Sequence, residues 1–519
     1  MPPPDALGAV AGVAWHGENE RVRYAHQVAD VRSAERELMA RLPEGALMQR
    51  AAAGLAVAAV GLLRGSSNSS FSSNSSSVAG ASAGAGPVYG SRVALLVGVG
   101  DNGGDALYAG ALLARRGASV HALLVDAERA HGGGLAALRS AGGRVVEEVD
   151  AASVLGRADL IVDGLLGIGG RGGLRGAFAS LADLAQAAAE ASGAPILAVD
   201  LPSGIDADTG EVAGPALRAS VTVTFGTHKP GLFVDPGAGY AGVVELVDIG
   251  LSFPPSVVPV VECLQEADVA ALLPVPSRSS HKYSRGVVGL AVGSLRYPGA
   301  ARLAVGAALR SGVGAVRYDG PVDVVADYPE VIRAAGSVQA WVVGSGLGQD
   351  DSARERLARV LASDTPVVVD ADGLRLLPRG ALGRAAPTVL TPHAGEAAHL
   401  LGVTAAEIEG SRLASVHRLA DLYDATVLLK GTLTQVCSPH TCTVRVNTHA
   451  SPDLATAGSG DVLAGFIGGL LAGGLSALDA ASAGAYVHGA AGLLAARSGP
   501  VAAGDLVAAL PRAWQNIRE

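Results

Sequence analysis

Arg92-Val93-Ala94-Leu95-Leu96-Val97-Gly98-Val99-Gly100-Asp101-Asn102-Gly103-Gly104-Asp105-Ala106 passes from an apolar run through a glycine-rich turn into an alanine-rich segment. Val93–Val97 has the length and β-branched content of a buried strand, and Ala106–Arg116 reads as a helix. The same alternation continues outward. Apolar strands are expected at Val120–Val125, Leu160–Val162, Ile196–Val199 and Val221–Phe225, with a helix at Ala179–Ala191. Strands separated by helices argue a doubly wound parallel sheet. Upstream, residues 24–63 read as an amphipathic helix with apolar positions at Val28, Val31, Leu38 and Met39. The Ser/Asn run Ser66–Ser77, continued by Ala/Gly/Ser to Gly86, reads as a disordered insertion at 66–86. Gly250–Pro259, with three prolines, is the clearest linker. Beyond it a second α/β series begins, with strands at Val287–Val292, Val338–Val343, Val367–Val369, Val389–Leu390 and Val427–Leu429, then long helices after Asp461. The expected domains are 1–252 and 262–519.

Composition agrees with that outline. A chain of 519 residues holds roughly two to four domains. Hydrophobic residues at 49% against 17% charged exclude disorder throughout. The net charge is −9 and no Lys/Arg cluster stands out, so nucleic acid is not an expected partner. Three cysteines cannot make a disulfide framework and fit a reducing cytoplasm. The N-terminus has no basic segment before an apolar one, so no secretory signal is expected. Mean hydropathy is +0.35. The longest charge-free stretch near the C-terminus, Val462–Leu478, has 17 residues and five glycines, short of the roughly 20 that a span needs. Leu55–Leu63 is shorter still. No membrane association is expected, and the chain is expected to be a homo-oligomer.

Gly98, Gly100 and Gly103 satisfy G-x-G-x-x-G, and Asp126 ends the next strand, so a dinucleotide fingerprint is one reading. Against it, Asp101 and Asp105 place two carboxylates where a pyrophosphate would lie. A cation and hydroxyl-bearing groups suit such a loop better. Asp163 ends one further strand, and Asp200 with Ser203 ends another. Asp163 could instead cap a helix and Asp200 brace a turn, but ligands of open α/β sheets sit at these strand ends.

Val31-Arg32-Ser33-Ala34-Glu35, the G-D-N-G-G-D loop and V-D-L-P-S-G-I-D-A-D-T-G from Val199 together resemble the epimerase domain of NAD(P)H-hydrate repair enzymes. The family's N-N-G-G-D-G carries Asp101 first and Ala106 last here, and its G-T-G is Gly167-Ile168-Gly169. The resemblance implies that Asn102, Asp163 and Ser203 hold K+. It also implies that Asp101-Asn102-Gly103-Gly104-Asp105, Gly167-Ile168-Gly169-Gly170-Arg171-Gly172-Gly173 and Asp200 bind the hydrated dinucleotide, with Asp200 catalytic.

In the second half, Thr456-Ala457-Gly458-Ser459-Gly460-Asp461 precedes a long apolar helix. Small residues at a helix start leave amide N–H groups free to form an anion hole. Asp461 alone would be an ordinary cap. In ribokinase-like enzymes such an aspartate takes the proton of a hydroxyl attacking a nucleotide's terminal phosphate. No G-x-x-x-x-G-K-[ST] is present, which excludes a P-loop enzyme. The ordered strings H-K-Y-S-R-G, Y-P-G-A-A, G-S-G-L-G, D-A-D-G-L, L-T-P-H-A-G-E, L-K-G-T and A-T-A-G-S-G-D-V-L-A-G resemble the dehydratase domain of the same enzymes. That implies a ribokinase-like α/β domain in which Ala300, Gly348 and His393 contact the hydrate. Lys430, Gly431, Thr432, Leu433, Thr434 and Gly460 would contact ADP or ATP with Mg2+, and Asp461 the reacting hydroxyl. The expected activity is epimerisation of hydrated NADH and NADPH, followed by ADP- or ATP-driven dehydration. A ribokinase-type small-molecule kinase fused to a dinucleotide-binding domain is the alternative, and a non-catalytic nucleotide sensor a third. Cys437 and Cys442, with His440 between them, read as a surface hairpin. His281-Lys282 reads equally as a ligand contact or a solvated loop.

Overall fold

The computed structural model describes residues 15–16, 22–65 and 88–519. The Ser-rich insertion expected at 66–86 and the N-terminal stretch lie outside the described residues, apart from the strand Trp15–His16. The chain separates into two compact units that meet in sequence between Val260 and Val261.

The sheet of the first unit runs Trp15–His16, Val243–Val247, Val221–Phe225, Ile196–Val199, Leu160–Gly164, Arg92–Val97, Ser119–Leu124, Arg144–Val146, with every pairing parallel. Strand order reverses between Arg92–Val97 and Leu160–Gly164. That is the topological switch point where such sheets open a crevice. Alternation along Arg92–Val97 divides the core. Val93, Leu95 and Val97 face one layer with helices Ala46–Leu63 and Asp101–Arg115. Ala94 and Leu96 face the other, with Ala177–Ser192.

Two boundaries differ from the sequence reading. The helix expected from Ala106 begins at Asp101, so the G-D-N-G-G-D string forms its first turns. A Cβ on Gly103 would lie 2.4 Å from the Gly98 carbonyl oxygen. Glycine there lets the helix start tightly against the strand end. The single helix expected over 24–63 is two, Val28–Met39 and Ala46–Leu63, separated at Pro43 and at Gly45, whose φ is 76°. Ala46–Leu63 is, among the described residues, long and apolar enough to cross a membrane. In this fold Ala52 and Leu55 on it are fully buried against the sheet. The linker segment lies along its own unit: Phe253 stacks on His26 at 4.0 Å between ring centroids.

The second unit's sheet runs Ala315–Tyr318, Val287–Ala291, Ala340–Val343, Val367–Val369, Thr388–Leu390, Thr426–Leu429, Thr434–Cys437, Val444–Asn447, Val261–Cys263. Its first five pairings are parallel, and Thr434–Cys437 is antiparallel to both neighbours. Cys437 and Cys442 do lie on a hairpin, Cys437 buried and Cys442 exposed. The strand expected from Val338 starts at Ala340, and just before it the Gln339 side chain accepts the Val287 N–H. His281-Lys282 forms an exposed turn, with the His281 Nδ1 accepting the Ser284 N–H at 3.2 Å.

The apolar stretch from Val462 is helix Ser459–Ala472, ended at Gly473-Gly474 and almost wholly buried. Its glycines are contact surfaces. A Cβ on Gly465 would stand 2.1 Å from the Ala304 carbonyl oxygen of helix Pro298–Leu309. Gly465→Ala is therefore expected to force these helices apart and cost about 1–3 kcal/mol. Thermal unfolding reads this directly, and an unchanged melting temperature would refute it.

Candidate functional sites

The carboxyl ends of the first sheet open onto a cavity of about 780 Å³. Asp101, Asn102, Asp105, Gly167, Ile168, Gly169, Gly170 and Asp200 all reach its wall, with Arg32, Glu35 and Arg36 from the helix above. A second hollow of about 750 Å³ shares Glu35, Met39, Asp101, Asp105 and Phe225 with it, and adds Tyr108 and His131. Arg171 instead borders a small side pocket beside Arg32. Gly172 and Gly173, with φ of 74° and 78°, turn the chain and are not on these walls. Gly103 and Gly104 are buried in the helix, Gly104 close to the Met48 and His131 side chains.

Asp163 and Ser203 lie beneath the cavity wall. The fully buried Asp163 accepts the Ser203 hydroxyl at 2.6 Å, the Ser203 N–H at 2.8 Å and the Leu165 N–H at 3.2 Å. The Ser203 Oγ accepts the Leu166 N–H at 2.9 Å. Burial lifts the Asp163 carboxyl to about 6, with the Ser203 and Leu165 bonds opposing. Asn102 donates to the Val199 carbonyl at 2.8 Å. Its Oδ1 faces Gly167, where a Cβ would sit 2.6 Å away.

Asp200 sits at φ 65°, a left-handed conformation that costs a non-glycine residue energy and is kept where a site demands it. Its Oδ1 accepts the Lys229 ammonium at 2.5 Å and the Thr224 hydroxyl at 3.1 Å. Lys229 is 1% exposed and also donates to the Thr224 Oγ1 and the Phe225 carbonyl. Sequence reasoning passed over Lys229, although a signal existed: of 39 basic residues only three are lysine. In an arginine-rich chain a retained lysine marks a place where a compact point charge is needed. Two of the three, Lys229 and Lys430, lie in the candidate sites.

In the second unit Lys430 follows the strand Thr426–Leu429. Its ammonium lies 3.0 Å from Asp370 Oδ1 and 3.7 Å from Glu396 Oε2. Burial alone would lower its pKa, but these carboxylates, Asp370 foremost, hold it above the ordinary value. Asp370 is fixed in turn by the Ser345 hydroxyl at 3.0 Å and the Thr391 hydroxyl at 2.8 Å. Lys430, Gly431, Thr432, Thr434, Gly460 and His393 line a cavity of about 580 Å³. Leu433 is buried and is not on this wall, so its side chain takes no space from it. Ala300 and Gly348 are not on it either. Ala300 packs beside Gly346, and the Gly348 N–H donates to Asp372 at 2.9 Å. His393 caps helix Ala394–Leu401, its Nδ1 accepting the Gly395 N–H at 3.0 Å.

Gly458, with φ 90°, turns the chain into helix Ser459–Ala472, and no side chain caps it. The Ser459 N–H is taken by the Thr456 carbonyl, and the Gly460 and Asp461 amides stay open, Gly460 beside Lys430. Asp461 belongs to that turn. Burial first, and the nearby Asp370 second, raise its carboxyl to about 6, with the Ser345 hydroxyl and Lys430 opposing. Buried His488 reaches the Ser459 hydroxyl at 3.2 Å, and burial lowers it to about 4, so it is neutral at pH 7. It escaped the sequence reading because one histidine in an alanine-rich helix carries no spacing signal.

The family models match on both halves. Residues 44–231 fit the YjeF-related protein N-terminus and residues 288–512 the NAD(P)H-hydrate dehydratase. The bifunctional NAD(P)H-hydrate repair enzyme Nnr of Mycobacterium leprae is 46% identical over 508 residues, covering 96% of this chain and 99% of the relative. The chain belongs to the bifunctional NAD(P)H-hydrate repair enzyme family. Within that family, the Moorella thermoacetica enzyme is 36% identical, covering 84% of this chain and 89% of its own. A crystal structure of the ADP/ATP-dependent NAD(P)H-hydrate dehydratase from Bacillus subtilis is 30% identical, with 49% of this chain and 97% of that chain covered, at a TM-score of 0.46. Membership corrects the kinase and sensor alternatives.

Proposed function

We propose that the first unit interconverts the R and S hydrates of NADH and NADPH, and that the second dehydrates the S form using ADP or ATP. The observation that carries this is an aspartate at each site: Asp200 on the wall of the first cavity, held by Lys229, and Asp461 in the helix turn that supplies Ser459 and Gly460 to the second cavity, near Lys430. In the second unit Asp461 takes the proton of the added hydroxyl as that oxygen attacks the terminal phosphate. Lys430 and the first-turn amides hold the charge that develops. The hydroxyl, a poor leaving group, departs as phosphate, and the nicotinamide ring is restored. In the first unit Asp200 takes the hydroxyl proton of the hydrate. Incubation with mixed hydrates and ADP or ATP, followed at the reduced-nicotinamide absorbance, tests the reading. Accumulation of a stable phosphorylated hydrate would refute it.

A base that titrates near 6 sets a pH profile. Asp461 works ionised, so dehydration is expected at full rate above its pKa and to fall as pH drops through about 6. A profile flat down to pH 5 would remove Asp461 from the role of base.

The side chains of Asn102, Asp163 and Ser203 offer oxygen donors, the kind that K+ takes. Among the described residues no lysine or arginine pairs with this buried carboxylate; the Ser203 Oγ lies beside it, and the Asn102 Oδ1 faces Gly167 on the wall above. Asn102, Asp163 and Ser203 would hold the ion, which would offset the buried charge and brace the wall at Leu166–Gly167. Melting temperature is expected to rise in KCl over an equal concentration of tetramethylammonium chloride, and equal values would refute the site. For Mg2+ the second cavity supplies no comparable cage. The oxygens of Asp370 are engaged by Ser345, Thr391 and Lys430, so a divalent ion there would ride on the nucleotide phosphates. Free Cys263, Cys437 and Cys442 support a reducing, cytoplasmic setting. The acidic net charge favours neither nucleic acid nor membrane as partner, and a homo-oligomer stays part of the reading.

A further inference from the structure

One group in the first cavity has no task in this reading. Asp105 is 8% exposed, yet it lines both lobes of the crevice. Its Oδ1 is buried and makes no hydrogen bond. Its charged neighbours are Asp200, Asp101 and Glu35, and the Lys229 ammonium is engaged by Asp200. At Oδ1 a carboxylate would have neither solvent nor a hydrogen-bond donor, which is unfavourable. Burial first, then those acidic neighbours, push the Asp105 carboxyl well above the usual range. Asp200 is the opposite case, with an ammonium, a hydroxyl and the Phe225 N–H all directed at its Oδ1. One carboxyl paired with an ammonium and another whose Oδ1 has no partner, facing one cavity, are the contrasting surroundings that acid–base catalysis uses.

We propose that Asp105 is the proton donor of the epimerase, protonating the ring nitrogen as the C6–N1 bond of the hydrated nicotinamide opens. This rests on the epimerase reading of the unit. In the hydrate, C6 bears both a hydroxyl and N1, so it is a carbinolamine. Asp200 takes the hydroxyl proton, and the C6 oxygen becomes a carbonyl as the C6–N1 bond breaks. The electron pair goes to N1, which takes the proton of Asp105. The nitrogen is conjugated through C2=C3 to the carboxamide, which makes it a competent leaving group. Rotation about C5–C6 turns the other aldehyde face to N1. Reclosure returns the nitrogen proton to Asp105 and the Asp200 proton to the oxygen. The C6–O bond is never broken, water neither enters nor leaves, and no oxidant is needed.

The test uses the full chain and a single purified epimer, with the epimer ratio followed by chromatography. Asp105→Asn is expected to cut kcat by about 10²–10⁴-fold with hydrate binding retained, and Asp105→Glu to recover part of the rate. ADP-driven dehydration of the S epimer by the same preparation should be unchanged. The melting temperature of Asp105→Asn should stay equal or rise, because the substitution removes an unpaired buried carboxyl. In water enriched in oxygen-18, the wild type should epimerise without labelling C6. Wild-type epimerisation by Asp105→Asn, a melting temperature that falls together with the activity, or one label per turnover would each overturn the proposal. Failure of the wild type to accelerate epimerisation at all would instead overturn the epimerase reading beneath it.

Discussion

Asp461→Asn is expected to reduce ADP- or ATP-driven recovery of NADH by about 10²–10⁴-fold, the range a positioned general base contributes. The amide keeps the size of the carboxyl but cannot accept the hydroxyl proton. Nucleotide binding should survive, because the walls that would hold it, Lys430, Gly431, Thr432, Thr434 and the open turn at Gly460, do not use the Asp461 side chain. Loss of the raised carboxyl should also remove the acid limb near pH 6 from whatever rate remains. Binding is read by calorimetry with ADP and turnover by absorbance. A variant that binds ADP and keeps wild-type turnover would reduce Asp461 to a helix cap.

The second large effect concerns Asp200. Asp200→Ala would strand the buried Lys229 ammonium, and breaking a buried pair in this way costs about 3–5 kcal/mol. Asp200→Asn is the cleaner variant, since the amide oxygen still accepts from Lys229. It should stop epimerisation while dehydration of the S epimer continues. Every residue lining the epimerase cavity belongs to the first unit and every residue lining the other to the second. With mixed hydrates, repair should consume the S form and then slow to the spontaneous rate of epimerisation. Adding the Asp461→Asn protein, whose first unit is unaltered, should restore full conversion because the hydrate diffuses. Loss of both activities in an Asp200→Asn protein of native circular dichroism would overturn the assignment of separate sites.

The parallel strands were legible where a short valine-rich run ends in glycine or aspartate, as at Val93–Gly98 and Val367–Asp370. The positions of Asp163 and Asp200 at strand ends and of Asp461 at a helix start were legible in the same way. Two kinds of feature were not. Helix starts were misplaced where glycine lowers the apparent propensity, as at Asp101–Asp105, although close approach to Gly98 holds the helix there. Partners distant in sequence carried no local mark: Lys229 reaches Asp200 across 29 residues, and Lys430 reaches Asp370 across 60. The orphaned oxygen of Asp105 is likewise a property of its surroundings rather than of any motif.

The scarcity of lysine has a practical side. Lys229 is sealed in the first unit and Lys430 is largely covered in the second, which leaves Lys282 as the exposed lysine side chain, on a turn that borders neither cavity. Acylating reagents should therefore find one preferred lysine. A fluorophore or a solid support coupled there would report on or tether the enzyme without entering either active cavity. The same reagents at higher dose would reach Lys430 next, ahead of the sealed Lys229, and ADP should delay that event, so occupancy of the nucleotide pocket could be read from a single peptide by mass spectrometry.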